Sequence, residues 1–181
     1  MGNLTILLPI MIKYKSILSI LLLSFSVGCV KLTPSGFWVH FQSNFLKKNI
    51  SDQGTWGGSR AMYWNANNQN TFTSKFILDY ALKNGWTLLD SSEYTTSDIK
   101  NWQYIGESIF PLSLKGFDTV PCNDEMYKHF PRWINSDIKL FKFKTGWLTI
   151  DPGTDKSIEV NGFVIVNCNG TEMSVYHLWG E

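Results

Sequence analysis

Apolar positions fall into distinct patterns along the chain, and each pattern predicts a different element. From Ser16 to Val27 the chain is uncharged and dominated by Ile and Leu. At about twelve residues it falls short of the roughly 20 that a bilayer-crossing helix needs. In "TSKFILDYALKNG", Ile77, Tyr80 and Ala81 form a stripe at helical spacing with Phe76 beside it. Thr73 or Ser74 can cap that helix, and Gly85 supplies a left-handed stop. "WTLLDSS" follows at once and reads as a strand, so a helix feeds a strand through a tight Asn-Gly stop.

The last forty-five or so residues alternate in the manner of β-structure. "IKLFKFK" sets Phe141 and Phe143 on one face and Lys142 and Lys144 on the other, and "GWLTI" continues it up to a turn at "DPGTD". "FVIVNC" and "MSVYHLW" are strands of a hairpin with Asn-Gly in its turn. The uninterrupted Phe163–Val166 run predicts a strand covered on both faces. "FWVHFQSNFLKKN" places Phe37, Phe41, Phe45 and Lys48 on one helical face, although Phe37, Val39 and Phe41 also alternate; it is assigned as helix. A further helix is expected between Glu93 and Glu107, starting near Ser97 or Asp98, before Pro111, Pro121 and Pro131 punctuate a loop-rich middle. The expected fold is α+β: a small single domain, mainly an antiparallel C-terminal sheet over about 138–179, with N-terminal helices packed on it. "KNGWTLLD" is echoed by "KTGWLTID", but helical spacing precedes the first and alternation the second, so this is not a repeat.

The apolar run has a second reading. Lys13 and Lys15 precede it and small residues follow, the order of a secretory signal peptide. "SVGC" (Ser26–Cys29) resembles the lipobox of bacterial lipoproteins, with Ser26 where that family most often has Leu. The resemblance covers Met11–Val30. It implies that Cys29 receives a diacylglyceryl group and becomes the acylated mature N-terminus, anchored to the cell envelope. Val30 in place of Asp implies the outer membrane, facing the periplasm, in a host that has one. Pro9 would interrupt an apolar helix, and the basic residues follow it, so residues 1–10 are expected to be an over-extended gene start. The expected organisation is 1–10 as that start, 11–28 as signal peptide, 29–36 as lipidated tether and 37–181 as the globular domain.

The remaining 153 residues suffice for one core. They carry fourteen basic against fifteen acidic side chains and no basic stripe, which argues against nucleic acid. The expected partners are the membrane, through the lipid, and an envelope protein or glycan. Inhibitors and immunity proteins that neutralise toxins are among the small lipoproteins of this size. With Cys29 lipidated, Cys122 and Cys168 are the two thiols left in an oxidising compartment, and a disulfide between them is expected. Trp56, Tyr63 and Trp64 lie in the Gly- and Asn-rich "GTWGGSRAMYWNANNQN". They could form an aromatic platform for a sugar or peptide, but core packing is the simpler use of such side chains.

No catalytic motif follows Cys29. His40, His129 and His177 are far apart, with no H-E-x-x-H and no paired C-x-x-C, so no metal or other cofactor is expected. "WGGSR" lacks the spacing of a nucleophile elbow or phosphate loop. A thiolate at Cys122 with His177 as base would make a cell-wall-directed cysteine hydrolase. The cell-wall cysteine peptidases that use this order have an Asp-Cys-Ser-Gly setting, whereas Cys122 sits in "VPCNDEM". Asp90 with Glu93, or Asp124 with Glu125, could be posed as acid and base, but carboxylates in turns are common to soluble domains. The favoured expectation is a non-enzymatic binding or envelope-support domain, with the cysteine hydrolase as its alternative.

Overall fold

Six strands hydrogen-bond into one antiparallel sheet in the order β1-β2-β6-β5-β4-β3. The structure, a computed structural model, describes residues 33–99, 133–150 and 155–180. Within these, β1 is Leu46–Gln53, β2 Gly57–Asn65, β3 Thr87–Tyr94, β4 Ile138–Lys144, β5 Gly162–Asn167 and β6 Glu172–Gly180. Because every neighbour is antiparallel, β2 and β3 run in the same direction with three strands between them. The connection between them carries α1, Ser74–Lys83.

Period-two alternation sorts the side chains into two cores. On one face Met62, Trp64, Phe141, Phe143, Val164 and Val175 pack with Ile77 and Ala81 of α1 and with Trp38, Phe41 and Trp86. On the other, Ala61, Leu140, Phe163, Ile165 and Tyr176 pack with Ile134, Ile138 and Trp133. All six residues of β5 are buried, as the unbroken apolar run of that strand requires.

Local signals explain α1. The Thr73 hydroxyl accepts from Phe76 N–H at 3.4 Å, and the helix ends in a paired turn: Gly85 N–H donates to Leu82 and Trp86 N–H to Ala81, both at 3.0 Å. Gly85 takes φ +84, the left-handed conformation that this double bond requires. The turn delivers Trp86, two residues past the cap, onto the core beside Ala81.

N-terminal helices packed on a C-terminal sheet are not what forms. The sheet takes three of its strands from before residue 95. The stretch expected to be helical from Phe37 instead makes two short 3-10 turns, Gly36–His40 and Ser43–Phe45, and then enters β1. Gln42 lies at φ +42 and Phe41 is extended, so the chain changes direction twice where a helix would continue. Trp38, which the Phe37–Phe41–Phe45 stripe leaves out, is fully buried against Phe37, Phe41, Tyr80 and Trp86. A short helix does start at Thr96 and is described as far as Ile99; the rest of the expected 93–107 helix lies outside the described residues. β4 also stops at Lys144 rather than continuing through "GWLTI". Among the described residues, no helix is long and apolar enough to cross a membrane.

Candidate functional site

One cross-strand row on the helix-bearing face runs Ser51, Arg60, His177, Gly162, Phe143 and Leu88. It places a cation directly opposite an imidazole in the middle of the sheet. Two glycines make room for what covers them. A Cβ at Gly162 would stand 2.8 Å from the Trp86 ring and 2.6 Å from Thr145 Cγ2, and one at Gly58 would stand 2.7 Å from the Trp179 ring. Without those atoms the two indoles close on His177 from either side, with ring centroids 5.3 Å away for Trp86 and 5.2 Å for Trp179.

The polar wall of the site comes from the loop after β4. The Thr145 hydroxyl lies 2.9 Å from His177 Nε2 and also accepts from Trp147 N–H at 3.3 Å. Buried Asn161 holds this loop: its Oδ1 accepts from Thr145 N–H at 3.0 Å, and its Nδ2 donates to the Trp147 carbonyl and the Thr149 hydroxyl. Thr149 in turn donates to the Leu178 carbonyl at 3.0 Å, and Gly180 N–H donates to the Leu148 carbonyl at 2.7 Å. Three hydrogen bonds thereby tie the loop to Asn161, just before β5, and those to Leu178 and Gly180 tie it to the end of β6.

Electrostatically the site is one-sided. Arg60 is 7% exposed and His177 fully buried. Among the described residues the guanidinium makes no ion pair, and its Nε and Nη1 have no hydrogen-bond partner; nor has His177 Nδ1. Burial pulls Arg60 below its usual range. Burial, and then the Arg60 charge, pull His177 down to about 3, so its ring is neutral at physiological pH. A neutral imidazole has one N–H and one lone pair, and the Thr145 hydroxyl, which can donate to Nε2 or accept from it, is compatible with the proton on either ring nitrogen. The orphaned atoms are the two guanidinium donors Nε and Nη1 of Arg60 and the Nδ1 of His177, which carries the proton in one tautomer and the lone pair in the other.

The chain finds no significant match among family models, curated proteins or solved structures. Its own residues therefore carry the argument. His177, which the sequence offers as the base of a cysteine hydrolase, is enclosed, because β6 is buried on both faces. Arg60 was not singled out by its sequence surroundings at all.

The aromatic platform does not assemble. Trp64 points into the helix-side core, where its Nε1 donates to the Phe41 carbonyl at 2.8 Å. Tyr63, one residue earlier, faces the opposite side, stacks on Trp133 at 5.5 Å and donates its hydroxyl proton to the Glu172 carboxylate. Burial and that carboxylate push the Tyr63 phenol up to about 12. Trp56 sits in the β1–β2 turn, 77% exposed. Consecutive strand residues cannot share a face, so Tyr63 and Trp64 could not both belong to one platform once β2 formed. Cys168 is exposed in the β5–β6 turn with a free thiol, while Cys29 and Cys122 lie outside the described residues, as do Asp124 and Glu125. Asp90 and Glu93 are engaged as surface ion pairs with Lys142 at 3.4 Å and Lys139 at 3.2 Å. No group of three His, Cys, Asp or Glu among the described residues could hold a metal ion.

Proposed function

We propose that the protein is a lipid-anchored envelope lipoprotein whose domain binds or supports another envelope component and is not an enzyme. The observation that carries the anchor is the run of Lys13 and Lys15, twelve or so apolar residues and "SVGC" ending at Cys29. One acyl chain gives only marginal membrane binding, whereas the several chains of the lipoprotein pathway give stable anchoring. The mature chain faces the periplasm from the outer membrane where the host has one, with Val30 following the lipidated cysteine.

The non-enzymatic half of the reading is supported by His177. A general base works best with a pKa near the operating pH. Enclosed between two indoles, with Nε2 engaged by Thr145 and its pKa near 3, His177 is a poor partner for a Cys122 thiolate.

Intact-mass measurement of protein taken from the membrane fraction tests the anchor. Wild-type chain should begin at Cys29 and carry acyl groups, and Cys29→Ser should lack both the cut and the adduct. Acyl-free wild-type protein in the soluble fraction would refute it. Co-purification from detergent-solubilised membranes, repeated with the Cys29→Ser chain as control, then tests for an envelope partner.

A further inference from the structure

We propose that the Arg60–His177 cluster is a binding site for a single oxyanion group, a carboxylate or a phosphate. The inference deepens the binding-domain reading by naming the chemistry that the domain takes up.

Three observations converge on it. Arg60 is more than nine-tenths buried, lies on β2 between the edge strand β1 and β6, and has no ion-pair partner among the described residues. An uncompensated guanidinium removed from water is strongly unfavourable, and the state that relieves it is the one with an anion beside it. The unpartnered atoms lie on one directly paired couple of residues: Nε and Nη1 of the Arg60 guanidinium, and Nδ1 of the imidazole across the strand pair. A guanidinium presents its N–H donors in a fixed plane that suits the oxygens of a carboxylate or phosphate. The surroundings are also preorganised. Gly58 and Gly162 admit the two indoles that hold the imidazole, and Asn161 fixes the loop whose Thr145 engages Nε2. A buried cation without a counter-charge calls for an anion.

Nothing else in the immediate row competes for the charge. The residues flanking Arg60 and His177 across the sheet are Ser51 and Gly162, neither of them acidic. The loop that carries Thr145 runs directly into exposed Trp147 and Leu148, so the polar wall of the site is within three residues of solvent.

The test uses the full chain purified in detergent without phosphate and labelled with 15N-arginine. The sequence contains two arginines, Arg60 and Arg132, so two side-chain Nε–H signals are expected, and Arg60→Lys identifies one of them. Inorganic phosphate and sodium acetate are titrated separately, against sodium chloride at matched ionic strength. The expected result is a saturable shift of the Arg60 signal with phosphate, acetate or both, and none with chloride. Phosphate alone assigns a phosphate source, and acetate alone a carboxylate one. At a hundredfold excess over Kd, the melting temperature should rise by about 5–10 °C, and this rise should vanish in Arg60→Met. Absence of any shift with either anion overturns the proposal. So does an equal, unsaturable drift of both arginine signals, which would be a bulk ionic effect, or a melting-temperature rise that persists in Arg60→Met. If Arg60→Met does not fold, the wild-type titration decides alone, with Arg132→Lys assigning the second signal. A chain that binds the oxyanion but carries no lipid at Cys29 would refute the anchor and leave this site standing; a lipidated chain with no anion response would do the reverse.

Discussion

Lowering the pH from 7 to 5 should destabilise the protein through His177 alone by an amount that can be worked out in advance. In the folded chain the ring is buried between Trp86 and Trp179 beside the Arg60 charge and holds a pKa of about 3. In the unfolded chain it returns to about 6.5. The unfolded state therefore takes up a proton first, and stability rises with pH wherever that difference exists. The contribution is fully present above about pH 6.5, is lost steadily as the pH falls towards 3, and changes no further below that. Between pH 7 and pH 5 the loss is about 2 kcal/mol, at 1.36 kcal/mol for each pH unit below the unfolded value. Over this interval the size of the loss is set by the unfolded pKa. Any folded value well below 5 gives nearly the same answer.

Urea denaturation followed by tryptophan fluorescence, at half-unit steps in chloride buffers, measures this directly. His177→Gln removes the titration while keeping a hydrogen-bonding side chain. Its absolute stability at pH 7 will be lower because packing between the indoles is lost, but its slope between pH 7 and 5 should be shallower than wild type by nearly one proton. Subtracting the two profiles removes every other ionisable group that both chains share. Asp98 and Asp137, held below the ordinary carboxylate range by hydrogen bonds from Thr95 and Thr96 respectively, lose their contribution only at more acid pH. Parallel profiles for wild type and His177→Gln would show that the ring is protonated or solvated in the folded protein, and the enclosed-imidazole argument would fail with them.

Other perturbations probe the rest of the framework. Gly162→Ala drives a methyl into Trp86 and Thr145, and overpacking of this kind costs about 1–3 kcal/mol; a urea midpoint unchanged from wild type would contradict the close approach. Thr73→Ala removes the α1 cap and should cost about 1 kcal/mol, read by thermal unfolding with far-UV circular dichroism. Thiol labelling of denatured, unreduced protein from an oxidising compartment decides between the free Cys168 thiol of this structure and the expected bridge: an oxidised chain should show neither Cys122 nor Cys168 reactive, and two labelled cysteines would exclude the bridge. A bridge closing that loop of 47 residues would contribute roughly 4 kcal/mol on the chain-entropy account, and reducing it would lower the melting temperature.

What could be read from the sequence was what is encoded locally. α1 carries its cap, its stripe and its stop within thirteen residues, and β4 to β6 carry their alternation and their Asn-Gly turn. β1 is different. "LKKNISDQ" offers only Leu46 and Ile50 as apolar residues, and it becomes a strand because β2 pairs with it along nearly its whole length. β2 was disguised in the other direction: "GGSRAMYWN" opens with two glycines and resembles a loop, yet it is a central strand between β1 and β6. The N-terminal aromatic residues fit a helical stripe by spacing, and tertiary packing of Trp38 overrode it.

The site was hidden for a related reason. It is made by register between segments more than a hundred residues apart, and register leaves no mark on either segment alone. Gly57 pairs with Gly180 and the ladder runs without a bulge to Asn65 and Glu172, which sets Arg60 opposite His177. The two irregular registers, at Leu46/Lys48 in β1 and Leu88/Asp90 in β3, fall on the edge strands instead. The β2–β6 ladder is thus less able than the edge strands to shift and relieve a buried charge by turning Arg60 out. A signal was nevertheless present: glycines inside strands mark places where something approaches closely, and Gly58 and Gly162 are two such positions. Each is covered by a tryptophan, and both tryptophans flank the same imidazole. The glycines, the indoles and the unbroken ladder all constrain one position, and the residue paired across from it is a cation with no partner among the described residues. A sheet built only to be stable would gain by placing an apolar side chain at position 60, and a bound anion would offset the cost of the charge that stands there.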